Sequence, residues 1–193
     1  MRHSVRLEGT RYRIRPVTVE DTAFILGLRT DPERARFLHP TSADVGAQHR
    51  WLDSYFGRHG DYYFIIERRD SGHPEGTIGI YNLEAETHSA EWGRWIVCKG
   101  SLAGLESAYL IYQAGFDLLS LERMYSRTAL VNKSVISFHD SFGMERVRTI
   151  EKSLHLASGP EDAMEHQLTR DLWIQVRPRI EKMLRALARP IPA

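Results

Sequence analysis

The sequence predicts a single mixed α/β domain, and three observations support this. Strand-like and helix-like patterns alternate along the 193 residues. No linker, internal repeat or low-complexity segment divides the chain. The longest helical pattern follows a strand through a short loop of small residues. We therefore expect a twisted, mostly antiparallel sheet of about seven strands with about four helices over residues 10–173, and an amphipathic helix and tail over residues 174–193.

The first half of the chain contains four strand patterns and two helix patterns. Residues 11–16 alternate as in a half-exposed strand, and Thr18 with Asp21 resembles an N-terminal helix cap. Helices are expected over 19–28 and 48–56. Residues 61–67 and 77–83 predict a hairpin around a turn at 71–74, and residues 91–97 predict a further strand.

The second half begins with apolar residues from Leu105 to Leu119 at the spacing of one helix face, which predicts a helix of about four turns. A strand over 123–129 and a helix over 133–142 follow, with Gly143 as the C-terminal cap of that helix. Two last strands, near 147–156 and 164–169, are expected to flank a turn at Gly159 and Pro160.

Composition excludes several classes of protein. Lys and Arg number 26 against 25 Asp and Glu, so no global field attracts nucleic acid or an anionic membrane. The only cysteine, Cys98, excludes an internal disulfide, fits a reducing compartment and is expected to be a small buried residue rather than a nucleophile. No apolar stretch approaches the length of a membrane span. We expect a cytoplasmic protein without a metal site.

The C-terminal segment has an apolar stripe flanked by basic residues. Ile180, Met183, Leu184 and Leu187 form this stripe past Pro178. Packing on its own domain is the favoured interpretation, and contact with a second subunit is the alternative. The expected state is therefore a monomer or a homodimer.

The segment richest in chemical information is the strand EWGRWIV, the loop CKGSLAG and the helix that begins near Leu105. Small residues from Gly100 to Gly104 let backbone N–H groups approach a ligand, and a helix N-terminus adds a partial positive charge. Both features suit a pyrophosphate. The alternative is that glycine serves only the backbone freedom of a tight turn.

Residues 91–144 resemble the GNAT acetyltransferase family, and more closely its branch with the ribosomal-protein acetyltransferases RimJ and RimL and several nucleotide-sugar amine acetyltransferases. The matching pieces are EWGRWI, the glycine loop running into LESAYLIYQAGFDLLSLERMYSRTALVNKSVISFHDSFGM, and the upstream stretch YRIRPVTVEDTAFILGLRTDPERARFL. The resemblance covers nearly everything from Tyr12 to about Trp173. It implies an acetyl-CoA-dependent N-acetyltransferase.

The resemblance also implies which residues bind acetyl-CoA. The family loop [Q/R]-x-x-G-x-[G/A] falls on residues 99–104, with Lys99 in place of Gln or Arg and Leu102 in place of the central glycine, so the Leu102 side chain must point away from the phosphates. Asn132 resembles a cofactor-binding asparagine, and a helix N-cap is its alternative role. Implied backbone contacts come from Ile96 and Val97 to the pantetheine arm, and from Ser101, Leu102, Ala103, Gly104 and Leu105 to the pyrophosphate.

Two residues are implied to move protons. Glu91 stands where relatives often carry the general base, and its alternative role is an ion pair with Arg94 or Arg127. His139 stands where many relatives carry a tyrosine as general acid, and an imidazole can donate a proton near neutral pH. A packed, hydrogen-bonded histidine is the alternative for His139.

The amine acceptor is not identified by the sequence. In this fold the acceptor pocket is usually built by the first two helices and the late strands, which favours Arg29, Gln48, Trp51 and Tyr81 as substrate-binding residues. Arg29 suits an acceptor phosphate, with a surface salt bridge as its alternative role.

Three functions follow as hypotheses. The first is acetylation of a small amine, foremost a nucleotide-linked amino sugar. The second is acetylation of protein N-termini, with a peptide amine as acceptor. The third is a non-catalytic acyl-CoA-binding module, suggested by Leu102 and by the lack of a tyrosine at position 139.

Overall fold

The computed structural model describes residues 3–188. The strands are β1 (Leu7–Glu8), β2 (Tyr12–Pro16), β3 (Tyr62–Arg68), β4 (Pro74–Glu84), β5 (Ser89–Val97), β6 (Arg123–Ala129), β7 (Glu145–Leu156) and β8 (Gly159–Thr169). The helices are α1 (Thr22–Thr30), α2 (Val45–Phe56), α3 (Ala103–Gln113), α4 (Lys133–Phe142) and α5 (Arg170–Leu187). A short 3-10 turn, Val19–Asp21, precedes α1, and a π-helical turn, Ala114–Leu118, extends α3.

The strands form one sheet in the order β1-β2-β3-β4-β5-β6-β8-β7. All neighbouring strands pair antiparallel except β5 and β6, which are parallel because α3 crosses over between them. The predicted mostly antiparallel sheet is therefore confirmed. The strand beyond the predicted seven is β1, which is only two residues long and therefore too short to show a periodic pattern.

The sheet is covered by helices on both faces. Along β3, Phe64 and Ile66 belong to the core under α3, α4 and α5, whereas Tyr63 and Ile65 pack against α1 and α2. Successive side chains of a strand point to opposite faces, so a continuous apolar run is what a sheet buried on both faces requires.

The starts of β8 and α5 are the element boundaries that differ most from the sequence prediction. β8 begins at Gly159, so the turn between β7 and β8 is at residues 157–158 and not at Gly159 and Pro160. α5 begins at Arg170, with Thr169 as its N-cap, and continues through Pro178. Burial of Trp173, Ile180 and Leu184 along this helix outweighs the single backbone hydrogen bond that the internal proline removes.

The C-terminal helix packs on its own domain. Ile180 and Leu184 are buried in the same core as α3. Met183 and Leu187 are exposed. Two of the four residues of the predicted apolar stripe are therefore buried within this chain, and the other two are exposed.

Candidate active site

The parallel strands β5 and β6 separate in the middle of the sheet. They pair only from Ser89 opposite Arg123 to Glu91 opposite Tyr125. Beyond Glu91, β5 carries an irregularity opposite Thr77 and Gly79, and Arg94 in this bulge has a left-handed φ of 51°. A bulge bends its strand and changes the local twist. A gap therefore opens between the last residues of β5 and those of β6.

A cavity of about 720 Å³ occupies this gap and extends between α1, α2 and the end of β7. All four residues predicted to bind the acceptor line it, namely Arg29, Gln48, Trp51 and Tyr81. Glu91, His139 and Asn132 also line it. The cavity thus unites residues from distant parts of the chain.

Glu91 lies at the apex of the gap and is 8% exposed. Its Oε1 accepts a hydrogen bond from the Tyr81 hydroxyl at 3.4 Å, and its Oε2 accepts one from Asn82 Nδ2 at 3.1 Å. Arg127 Nη1 lies 3.5 Å from Oε2. Burial raises the pKa of Glu91, and Arg127 and the two hydrogen bonds oppose this rise only in part. The expected pair with Arg127 is present, but Arg94 pairs with Asp61 instead.

His139 is buried among aromatic rings at the side of the cavity. Trp92 meets its ring edge-on at 5.3 Å between centroids, and the His166 ring lies at 5.1 Å. Its Nε2 is 3.4 Å from the Ser126 hydroxyl, whereas its Nδ1 is buried without a hydrogen-bond partner among the described residues. Burial lowers the pKa of His139 to about 3. The imidazole is therefore neutral at pH 7 and does not carry the proton that the predicted general acid requires in its imidazolium form.

Arg94 forms part of the cavity wall beside α2. Its guanidinium forks onto the Asp61 carboxylate, with Nη2 to Oδ2 at 2.9 Å, and lies 4.5 Å from the Tyr81 ring centroid and 5.4 Å from that of Trp51. An arginine held by a bidentate ion pair and aromatic faces is fixed in position. It orients two of the predicted acceptor-binding side chains.

The end of β5 presents backbone groups to the gap. Cys98 N–H donates to Glu75 O on β4 at 2.8 Å, and the carbonyl of Ile96 also faces β4, where it would meet a Cβ added to Gly76 at 2.4 Å. Backbone groups alternate sides along a strand, so those of Trp95 and Val97 face the gap. This corrects the prediction for Ile96, whose backbone is used inside the sheet, and leaves Val97 available to a ligand.

The loop after β5 turns tightly into α3. Gly100 has a φ of 80°, a left-handed conformation that favours glycine. Ser101 N–H donates to Cys98 O at 3.1 Å, and Ala103 N–H donates to the Ser101 hydroxyl at 3.1 Å. These two predicted amide donors are therefore already engaged within the loop, a second correction.

The other loop residues predicted to contact the pyrophosphate are Leu102, Gly104 and Leu105. Gly104 and Leu105 lie in the first turn of α3, where helix geometry leaves N–H groups without intrahelical acceptors. The Leu102 side chain is 68% exposed. The Leu102 side chain is therefore not packed into the core.

Asn132 caps α4 next to the cavity. Its Oδ1 accepts from Val135 N–H at 3.4 Å and from the Ser134 hydroxyl at 3.0 Å. The amide Nδ2 remains as a donor toward the cavity, so the cap and a ligand contact are compatible.

Trp95 and Ser126 were not singled out from the sequence, and Arg127 was considered only as an ion-pair partner of Glu91. Trp95 packs against Phe138 in a tilted arrangement with 4.9 Å between ring centroids, and its indole N–H donates to the Ser107 hydroxyl, which ties β5 to α3 and α4. Arg127 and Ser126 line the cavity from β6. Only the parallel pairing of β5 with β6 brings them to Glu91, and that pairing follows from the fold.

Within residues 3–188, no group of three or more His, Cys, Asp or Glu side chains is arranged to hold a metal ion. Over the same range, no helix has both the length and the apolar character that a bilayer crossing requires.

A sheet that opens between two parallel strands, with a helix N-terminus at the gap and a buried carboxylate at its apex, defines the architecture of a GNAT acetyltransferase. The profile of the GNAT acetyltransferase domain matches residues 11–145. The chain belongs to this family.

Solved structures with the same fold carry different acceptor chemistries. FdhC, a nucleotide-linked sugar GNAT solved in its apo form, is 26% identical, with a TM-score of 0.79 over 94% of this chain and 99% of that one. A GCN5-related N-acetyltransferase from Brucella melitensis is 17% identical, with a TM-score of 0.79 over 97% and 87%. Spermidine N-acetyltransferase from Vibrio cholerae, in complex with CoA and spermine, is 13% identical, with a TM-score of 0.78 over 86% and 99%. Among curated proteins, no sequence matches significantly.

Proposed function

We propose that this protein transfers the acetyl group of acetyl-CoA to the primary amine of a nucleotide-linked amino sugar. The observation that carries the proposal is the cavity in the β5/β6 gap, which joins the candidate base Glu91 to a wall rich in arginine. Membership of the GNAT family supports the acetyl donor, and the likeness to FdhC at 26% identity supports the acceptor class.

The charge of the cavity wall favours an anionic acceptor over a polyamine. Arg29, Arg58, Arg94 and Arg127 line it. Arg94 and Arg127 are paired with carboxylates, whereas Arg29 bonds only neutral groups, the Thr41 hydroxyl at 2.8 Å and the His39 carbonyl at 3.3 Å. A guanidinium beside neutral partners is suited to a phosphate. A polycation would meet like charge there.

The loop and gap fit acetyl-CoA. The first-turn amides of Gly104 and Leu105 suit the pyrophosphate, Asn132 Nδ2 offers a side-chain donor, and Val97 offers backbone groups to the pantetheine amides. Bound there, acetyl-CoA would supply the thioester whose carbonyl carbon the amine attacks. The Val97 N–H is a candidate donor to the developing oxyanion.

Glu91 would take a proton from the acceptor ammonium, directly or through a water. Its raised pKa makes it a stronger base than an exposed carboxylate. The freed amine attacks the thioester carbon and the C–S bond breaks. The attacking nitrogen gives up a second proton as the amide forms, and the departing thiolate takes up one proton. His139 can offer a neutral imidazole N–H to that thiolate as a hydrogen-bond donor, a smaller contribution than transfer from an imidazolium.

The decisive experiment compares acceptors directly. Purified protein is incubated with acetyl-CoA and nucleotide-linked amino sugars, free amino sugars, N-terminal peptides or polyamines, while free thiol is monitored. We expect thiol release to be fastest with the nucleotide-linked sugars. Peptides as the best acceptors would favour N-terminal acetylation instead. Binding of acetyl-CoA without thiol release for any amine would support the non-catalytic module.

A further inference from the structure

A second buried carboxylate, Glu165 on β8, has no part in the proposed chemistry. It is 1% exposed. Three arginines surround it, with Arg123 Nη2 at 3.0 Å, Arg127 Nε at 3.2 Å and Arg148 Nη2 at 3.5 Å. Burying a carboxylate costs several kcal/mol unless charged partners offset it. Three arginine partners around one buried carboxylate indicate that the negative charge of Glu165 has a role in the protein.

Glu165 and Glu91 share one arginine. The Arg127 guanidinium uses Nε toward Glu165 at 3.2 Å and Nη1 toward Glu91 at 3.5 Å. Within the described residues, the other partners of Glu91 are neutral, Tyr81 and Asn82. Arg127 is thus the cation closest to the candidate base, and Glu165 competes for it.

We infer that Glu165 is a positioning residue, which holds the Arg127 guanidinium back from a closer ion pair with the candidate base Glu91. The inference rests on the proposed function. Without the Glu165 charge, Arg127 is free to turn fully to Glu91, and a like charge beside Glu91 also disappears. Both changes favour the ionised form of Glu91 and make it a weaker base.

The titratable and charged groups that face Glu91 come from three strands. They are Tyr81 from β4, Tyr125 and Arg127 from β6, and Glu165 from β8. Tyr81 and Tyr125 have raised pKa values because of burial, so both are neutral over the working pH range. Arg127 and Glu165 are therefore the charges that can retune the base.

The test compares two substitutions with opposite expected signs. In Glu165→Gln, the acidic limb of the pH profile of kcat/KM should move to lower pH, and the plateau should fall about two- to tenfold. In Arg123→Gln, Glu165 loses a cation and relies more on Arg127, so the limb should move to higher pH. Glu165→Asp keeps the charge and should restore most of the wild-type profile. A purely structural role would lower activity in all three variants without opposite shifts.

A second readout needs no substrate. The side-chain carboxyl carbon of Glu91, assigned by its loss in Glu91→Gln, is titrated by ¹³C NMR in wild type and in both charge variants, after thermal melting confirms that they fold. An unmoved Glu91 titration in folded Glu165→Gln overturns the inference. Opposite shifts in the two variants, with full turnover in Glu91→Gln, would instead support the network and contradict Glu91 as the base.

Discussion

Glu91 on β5 and Tyr125 on β6 form the last register pair between the two parallel strands. Beyond this pair, β5 and β6 no longer pair with each other, and a gap opens between them. The pair places a buried carboxylate where the sheet opens, between the proposed acceptor site and the proposed donor site. Four testable consequences concern the base, the loop, the acceptor arginine and the buried histidine.

Glu91→Gln should lower turnover on the order of a hundredfold, because the acceptor ammonium loses its proton acceptor. The loss should be largest at low pH, where the amine is mostly protonated. The measurement is thiol release across a pH range. Glu84→Gln, an exposed carboxylate near the end of β4, is the matched control and should keep the wild-type rate. Full activity of Glu91→Gln at every pH would make Glu91 a structural carboxylate.

Gly104→Asp should weaken acetyl-CoA binding at least tenfold, about 1.4 kcal/mol, because it puts a carboxylate at the helix N-terminus that is proposed to bind the pyrophosphate. A Cβ at Gly104 meets only the Trp95 ring, at 3.8 Å, so the added carbon itself fits. Gly104→Ala is therefore the matched control, with nearly unchanged affinity by calorimetry. Equal affinity of folded Gly104→Asp and Gly104→Ala would contradict the loop assignment.

The sequence predicted local elements well, but it did not predict most contacts between residues that lie far apart in the chain. The helix over 133–142, its Gly143 cap and the strand over 123–129 were predicted at their observed bounds, because periodicity and caps are local signals. Asp61 with Arg94 and Glu165 with Arg127 are pairs more than 30 residues apart. Their partnership depends on strand order and on the bulge in β5, neither of which has a local pattern.

The predictions of site residues also failed where they depended on three-dimensional geometry. Arg29, Gln48, Trp51 and Tyr81 were chosen from the family resemblance, and the structure brings them to one cavity with Glu91. The orientation of Ile96 and the engaged amides of Ser101 and Ala103 depend on backbone alternation and loop hydrogen bonds. Such details follow from three-dimensional geometry. The RimJ/RimL branch and a cytoplasmic location remain predictions.

Arg29→Gln should raise KM for a nucleotide-linked amino sugar about tenfold, the loss of one charge-assisted contact to phosphate. KM for acetyl-CoA should not change, because the side-chain hydrogen bonds of Arg29 go to Thr41 and His39 and not to the loop at residues 98–104. Arg29→Lys keeps the charge and should recover part of the affinity. The two KM values are measured by varying each substrate separately. An unchanged sugar KM would leave Arg29 as an anchor for Thr41 and the neighbouring loop.

His139→Phe should make the free energy of unfolding decline less as the pH falls. Burial lowers the pKa of His139 to about 3, whereas an unfolded histidine titrates near 6.5. Between pH 6.5 and about pH 3, His139 is therefore mostly protonated in the unfolded chain but neutral in the native protein. The wild type loses up to about 1.4 kcal/mol of stability per pH unit from this residue as pH falls below 6.5. His166, whose pKa burial also lowers, acts in the same direction and remains in the variant.

The measurement for His139→Phe is the free energy of unfolding by urea between pH 7.5 and 5. We expect equal stability at pH 7.5, since a phenyl ring suits the packing beside Trp92 and removes the unpartnered Nδ1, and a shallower decline toward pH 5. The exposed His59, changed to Phe, controls for a histidine removed at the surface. Turnover at pH 7.5 should fall only about tenfold, less than the roughly hundredfold or more of general acid catalysis, because the neutral imidazole offers a hydrogen bond and not an acidic proton. Parallel stability curves for wild type and variant would mean that His139 takes up protons over the same pH range in the native and unfolded states, and the general-acid role would then regain its basis.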